Sequence, residues 1–285
     1  MLLTGDLGYM ALEPFADEFP DRFINCGVAE QNMTGVATGL AESGYLPFVY
    51  SIVTFATLRS FEFIRNGPVI HSLPVRIVGV GGGVEYGHNG LSHYGLEDVG
   101  AMRLLAGINV YCPGDATQAA TVLSKTWDAA GPAYYRLGKD EKATVAGLDG
   151  RFEIGRVQKI RDSGDVLLLS MGAVGADVSK ATELLKAQGV EVAHWVAASI
   201  QPGPTEDIKE ALGRFKVVYT VEAHRTTGGL GSVVCEISAE SGGGAKVVRL
   251  GIDHYMGGRS GSQGFLHAQH GISAEAIATR VVSGV

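Results

Sequence analysis

The chain has 285 residues, a formal net charge of −7 and 46% hydrophobic residues. Lys and Arg fall singly rather than in runs, so no basic patch for nucleic acid or anionic lipid can be drawn. No apolar stretch approaches the length of a membrane span, and no charged n-region leads into a hydrophobic signal core.

Cys26, Cys112 and Cys235 are widely spaced, carry no metal-ligand pattern and sit in or beside apolar segments. They read as buried thiols of a reducing, cytoplasmic protein. From the first residue, short apolar runs alternate with helical periodicity, which predicts parallel sheets wrapped on both faces. Strands are expected over 2–6, 23–29, 47–52, 75–80, 108–111 and 133–136, and helices over 31–42, 58–66, 99–105 and 116–130. Residues 139–151, KDEKATVAGLDGR, are charged and glycine-broken and make the best linker. A second alternation follows, with strands over 166–170, 190–196, 217–221 and 247–250 and helices over 178–188, 205–215, 230–241 and 274–282. The expected fold class is therefore α/β, with two doubly wound domains, 1–145 and 152–285. Residues 254–270, HYMGGRSGSQGFLHAQH, are polar and glycine-rich and read as a surface loop.

Residues 22–44 carry the strongest local signal. Phe23, Ile24, Val28 and Ala29 read as a buried strand, and small apolar residues then recur at helical spacing, so Glu30 falls where strand becomes helix. A carboxylate there lies at the carboxyl edge of a sheet, where open α/β folds place ligands, although a Glu in a first turn also simply complements the helix dipole. Phe55, Leu58 and Phe61 are spaced at threes, as the core stripe of a helix would be. Asp6 can cap a following helix. The glycines of 81–95, GGGVEYGHNGLSHYG, let backbone approach a ligand, and the loop holds His88, Asn89 and His93. Arg136 ends the last strand of the first half, and its fork suits phosphate or carboxylate.

Residues 27–55, GVAEQNMTGVATGLAESGYLPFVYSIVTF, resemble the pyrimidine-binding domain of transketolases and deoxyxylulose-phosphate synthases, whose glutamate lies in a G-[IV]-[AR]-E-[QH] context. The likeness continues in order through Thr54-Phe55, Leu73-Pro74-Val75, Gly90-Leu91-Ser92-His93, Cys112-Pro113-Gly114-Asp115 and Gly131-Pro132-Ala133-Tyr134-Tyr135-Arg136. The second half is similar to the transketolase C-terminal domain.

This resemblance implies a thiamine diphosphate enzyme, in which the protein positions and tunes the cofactor. Glu30 then hydrogen-bonds the pyrimidine ring nitrogen, Phe55 and Phe61 pack on the ring, Leu58 forms a hydrophobic wall, and Asp6 lies in the loop beside the cofactor. His93 matches the histidine that faces the donor hydroxyls. His88 and Asn89 stand where the family has Glu and Asp, which changes how an aldehyde acceptor would be read. Arg136 matches the phosphate-gripping arginine, but Gly81 and Met10 occupy the sites of an expected histidine and serine, so the substrate need not be an ordinary sugar phosphate.

The family's magnesium motif, G-D-G followed downstream by Asn, has no counterpart, so no metal is expected on this chain. The resemblance thus implies the C-terminal half of a split transketolase, active with an N-terminal-type subunit that binds magnesium and diphosphate, as an α2β2 tetramer. The family places a helix and linker before the first strand, so the chain is expected to be trimmed or covered there by its partner. The alternatives are a related ketol or acyl transferase, the beta chain of a 2-oxo acid dehydrogenase, and a non-catalytic α/β subunit. His93 within G-x-S-H speaks for the sugar enzymes, and Glu30 together with His93 speaks against a silent subunit.

Overall fold

The computed structural model describes residues 1–139, 143–255 and 258–284. Its first sheet contains the parallel strands β1 (Leu2–Thr4), β2 (Phe23–Asn25), β3 (Phe48–Ile52), β4 (Arg76–Val80), β5 (Asn109–Tyr111) and β6 (Ala133–Leu137), in the order β5-β6-β4-β3-β1-β2. Helices α1 (Glu13–Glu18), α2 (Glu30–Glu42), α3 (Phe61–Ile64), α4 (Asp98–Arg103) and α5 (Ala116–Thr126) make the connections. The second sheet holds β7 (Gln158–Arg161), β8 (Val166–Met171), β9 (Ala193–Val196), β11 (Val217–Glu222) and β12 (Lys246–Leu250), in the order β12-β11-β8-β9-β7, parallel except at β7. Its helices are α6 (Gly175–Ala187), α7 (Thr205–Arg214), α8 (Leu230–Ser241), α9 (Gln263–Gln269) and α10 (Ala274–Val282). This is the expected α/β architecture of two doubly wound units.

β10 (Ser199–Gln201) belongs by position to the second unit but pairs antiparallel with β5 of the first sheet. One apolar cluster accordingly runs from Leu3 and Ile77 through Val110 and Ile200 to Leu169 and Trp195. Strands covered on both faces read as unbroken apolar runs, and every residue of β8 (VLLLSM) is buried. Among the described residues, no helix is long and apolar enough to cross a membrane.

Local departures from the sequence reading have local causes. β2 stops at Asn25, because Gly27 turns the chain with φ +68°. α1 carries no buried residue and so gave no periodic signal. The helix expected over 58–66 is interrupted: π-helical turns at Phe55–Arg59 and Arg65–Val69 flank the single turn of α3. The 254–270 stretch, read as a surface loop, instead contains α9, capped by the Ser262 hydroxyl at 3.2 Å from the Phe265 amide and anchored by buried Leu266 and His267. Its glycines hid the short apolar anchor; residues 256 and 257 lie outside those described. In the 139–151 linker, 140–142 likewise lie outside, and Val145 and Leu148 are buried against Val196.

Candidate active site

β1 lies between β2 and β3, so the β1-to-β2 and β2-to-β3 connections run in opposite directions along the sheet, the switch point at whose strand carboxyl ends open α/β folds form their ligand crevice. Glu30, the first residue of α2, is buried there at 1% exposure. Its Oε1 accepts a hydrogen bond from the Ser51 hydroxyl of β3 at 2.9 Å, and its Oε2 accepts one from Arg59 Nη1 at 2.5 Å. Gly5 leaves room for the carboxylate: a Cβ there would stand 3.2 Å from Oε1, a tight contact. A buried carboxylate needs such partners. The Arg59 side chain is 38% exposed, so water screens the pair, and it is worth well below the about 3–5 kcal/mol lost when a fully buried pair is broken.

The π-helical turn after β3 carries the next contacts. Its wider winding returns Arg59 onto Phe55, with the guanidinium carbon 4.3 Å from the ring centroid. The other neighbour of Phe55 is His93, whose ring lies 5.2 Å away and is tilted 71°. His93 is held by the glycine-rich loop, where Gly83 and Gly95 exchange both backbone hydrogen bonds at 2.8 Å. Gly81, at φ +79°, lies under Tyr86, and a Cβ there would collide with that ring. Ser92 Oγ sits 3.0 Å from His93 Nδ1, the Tyr86 ring lies 6.3 Å from His93, and the Lys139 ammonium stands 4.4 Å above Tyr86.

Three residues picked out in the sequence, Glu30, Phe55 and His93, are thus brought together. His88 and Asn89 lie on the exposed turn before His93. Asp6 is exposed at φ +60°, accepts a hydrogen bond from Asn25 Nδ2 at 2.9 Å, and lines a cleft of about 180 Å³ that includes none of those three residues. Phe61 packs against the core, while Leu58 is 40% exposed, because the π turn takes the threes-spaced residues off a single stripe.

Arg136 is buried and occupied. Its Nε donates to Asp98 at 2.9 Å and its Nη2 to the carbonyls of Gly95 and Ala223 at 2.7 and 2.9 Å, so it ties β6 to the loop and to the end of β11. Burial alone would weaken its hold on the proton, but Asp98, Cys112 and Tyr134 more than offset this and push its pKa up. The cation exposed beyond the same strand is Lys139. Sequence reading missed Lys139 and Arg59. Their signals were slight: a cation three residues past Arg136, and one four past Phe55.

The arrangement sets an aromatic ring near a buried, side-chain-tethered carboxylate at the carboxyl edge of the sheet. The planar guanidinium now lying between Phe55 and Glu30 shows that a flat cationic group fits that space. Among the described residues, no three His, Cys, Asp or Glu side chains are grouped as a metal ion needs.

The matching family models are the transketolase pyrimidine-binding domain, over residues 5–143, and the transketolase C-terminal domain, over residues 155–277. The chain belongs to the transketolase family. It is 35% identical, over 99% of its length and 89% of the relative's, to a Methanocaldococcus jannaschii protein that carries the provisional name of a transketolase C-terminal section. It is 30% identical to an apulose-4-phosphate transketolase subunit of Actinobacillus succinogenes, over 95% of this chain and 88% of that one. A solved split-gene transketolase, described as an inactive beta4 tetramer, matches with a TM-score of 0.87 at 33% identity, over 99% of this chain and 91% of its own.

Proposed function

We propose that this chain is the pyrimidine-binding subunit of a two-component, thiamine-diphosphate-dependent transketolase, moving a two-carbon ketol unit from a ketose to an aldehyde. The observation that carries this reading is the buried Glu30 carboxylate and the Phe55 ring, brought to either side of one planar group, the Arg59 guanidinium. Thiamine diphosphate, when bound, supplies the carbanion chemistry. Glu30 hydrogen-bonds the pyrimidine nitrogen and holds the proton shared with it. Phe55 gives the ring a face to lie on. His93, oriented by Ser92 and packed edge-on to Phe55, hydrogen-bonds or exchanges protons with the donor hydroxyls.

Leu58 walls the cofactor from the π-helical turn, Phe61 backs that turn from the core side, and Asp6 reaches the cofactor from the loop after β1. His88 and Asn89 meet the acceptor. Lys139, rather than the occupied Arg136, offers charge to an anionic substrate group.

The other half of the site comes from an N-terminal-type subunit that binds magnesium and the diphosphate, in an α2β2 assembly. Support for a missing partner comes from Val28, Leu58 and Leu91, apolar side chains exposed on the segments that bear the site. Free thiols at all three cysteines suit a reducing cytoplasm.

Co-expression with the neighbouring subunit gene, followed by assay with xylulose 5-phosphate, ribose 5-phosphate and unphosphorylated analogues, tests the proposal. Ketol transfer by the pair and none by the isolated chain is expected. No turnover with any ketose defeats the enzymatic reading, and full activity of the lone chain defeats the two-component one.

A further inference from the structure

Arg59 makes both contacts that the cofactor's pyrimidine would need. Its guanidinium carbon lies 4.3 Å from the Phe55 centroid, and its Nη1 is 2.5 Å from Glu30 Oε2. The likeness is chemical as well as positional. A protonated aminopyrimidine is a flat, delocalised cation that presents N–H donors at its edge, and so is a guanidinium.

Among the described residues, Arg59 is held by that one hydrogen bond and the ring contact, whereas buried Arg136 is held by three hydrogen bonds. The Arg59 side chain is also 38% exposed, so it can leave toward solvent without unpacking the core. Glu30, at 1% exposure, would otherwise keep an uncompensated charge.

We propose that Arg59 is a built-in stand-in for the cofactor's aminopyrimidine: it fills the slot between Phe55 and Glu30 until the cofactor displaces it, and so sets cofactor affinity. The inference rests on the cofactor reading above. Apparent affinity falls by the fraction of molecules in which Arg59 is out, and association waits on its departure.

The test compares wild type, Arg59→Met and Arg59→Lys. The full chain is titrated with 4-amino-2-methylpyrimidine by ligand-observed NMR, and the two-subunit assembly with thiamine diphosphate and magnesium by calorimetry. Arg59→Met, which keeps the length and loses the flat charge, is expected to bind both ligands about tenfold tighter or more, with faster association. Arg59→Lys, which can pair with Glu30 but cannot stack as a plane, is expected to gain less.

Unchanged or weaker binding by Arg59→Met would overturn the proposal, because Arg59 would then hold the ring rather than take its place. Should Arg59→Met lose its melting transition, Arg59→Lys decides by the same sign. A wild-type assembly that binds no thiamine diphosphate would sink the cofactor reading alone. The aminopyrimidine titration of the single chain would still decide on Arg59.

Discussion

Two buried glutamates stand at the carboxyl edges of the two sheets, and they are held differently. Glu30 is tethered by groups that can let go, the Ser51 hydroxyl and the half-free guanidinium of Arg59. Glu222, at the end of β11, is clamped by backbone: its oxygens accept from the amides of Leu230 and Gly231 at 2.8 Å each, at the start of α8. Gly229 backbone packs directly on this carboxyl, and a Cβ there would collide with a Glu222 oxygen. A carboxyl group that accepts from its own helix N-terminus satisfies amides the helix leaves unpaired, whereas one held by replaceable side chains remains open to exchange with a ligand. By this measure Glu222 is engaged by its own fold, and Glu30 is the carboxylate that the proposed function calls on.

The largest expected effect separates the two residues directly. Glu30→Gln should lower ketol transfer by the assembly about 10²–10⁴-fold with little change in melting temperature, and Glu222→Gln should leave turnover near wild type. Equal losses in both would erase the distinction. His93→Ala should cost about 10²-fold in kcat, checked by steady-state assay of the assembly; a loss confined to KM would move His93 from proton handling to binding.

Glu222 sharpens the contrast through pH. Burial, opposed by its two backbone hydrogen bonds, raises its pKa from 4.5 to about 7. A raised carboxyl pKa means that protonation favours the folded state. The contribution is full below 4.5 and is lost as pH rises through about 7. The melting temperature of wild type should therefore fall between pH 5 and pH 8, and Glu222→Gln should flatten that fall; parallel curves would contradict it. The smallest effect concerns the exposed turn. His88→Glu combined with Asn89→Asp should shift relative kcat/KM among aldehyde acceptors by a few fold, about 1 kcal/mol, read from competition between two acceptors. An unchanged profile would remove both residues from acceptor recognition.

Much of this was legible in the chain itself, for physical reasons. Glu30 was visible because a strand-to-helix change is written in periodicity, and Phe55 and His93 because short motifs bracket them. The spacing of Phe55, Leu58 and Phe61 left a core stripe and a ring-packing set both open, since it assumes 3.6 residues per turn; the π-helical turn breaks the stripe, leaving Leu58 half-exposed and Phe61 against the core. Arg136 looked like a ligand cation because motif order says nothing of burial. Only the packing of Gly95, Asp98 and Ala223 around it shows that its Nε and Nη2 already serve the fold. Arg59 escaped notice because a single cation in a helical stretch carries no signal until the backbone brings it over Phe55. α9 was lost among glycines that signal loop.

The central claim, that Glu30 activates the cofactor, is tested most directly by deuterium exchange at the reactive thiazolium carbon of thiamine diphosphate bound to the two-subunit assembly. The account predicts fast exchange in wild type and in Glu222→Gln, and exchange slowed by about 10²-fold or more in Glu30→Gln. Equally fast exchange in Glu30→Gln would contradict it.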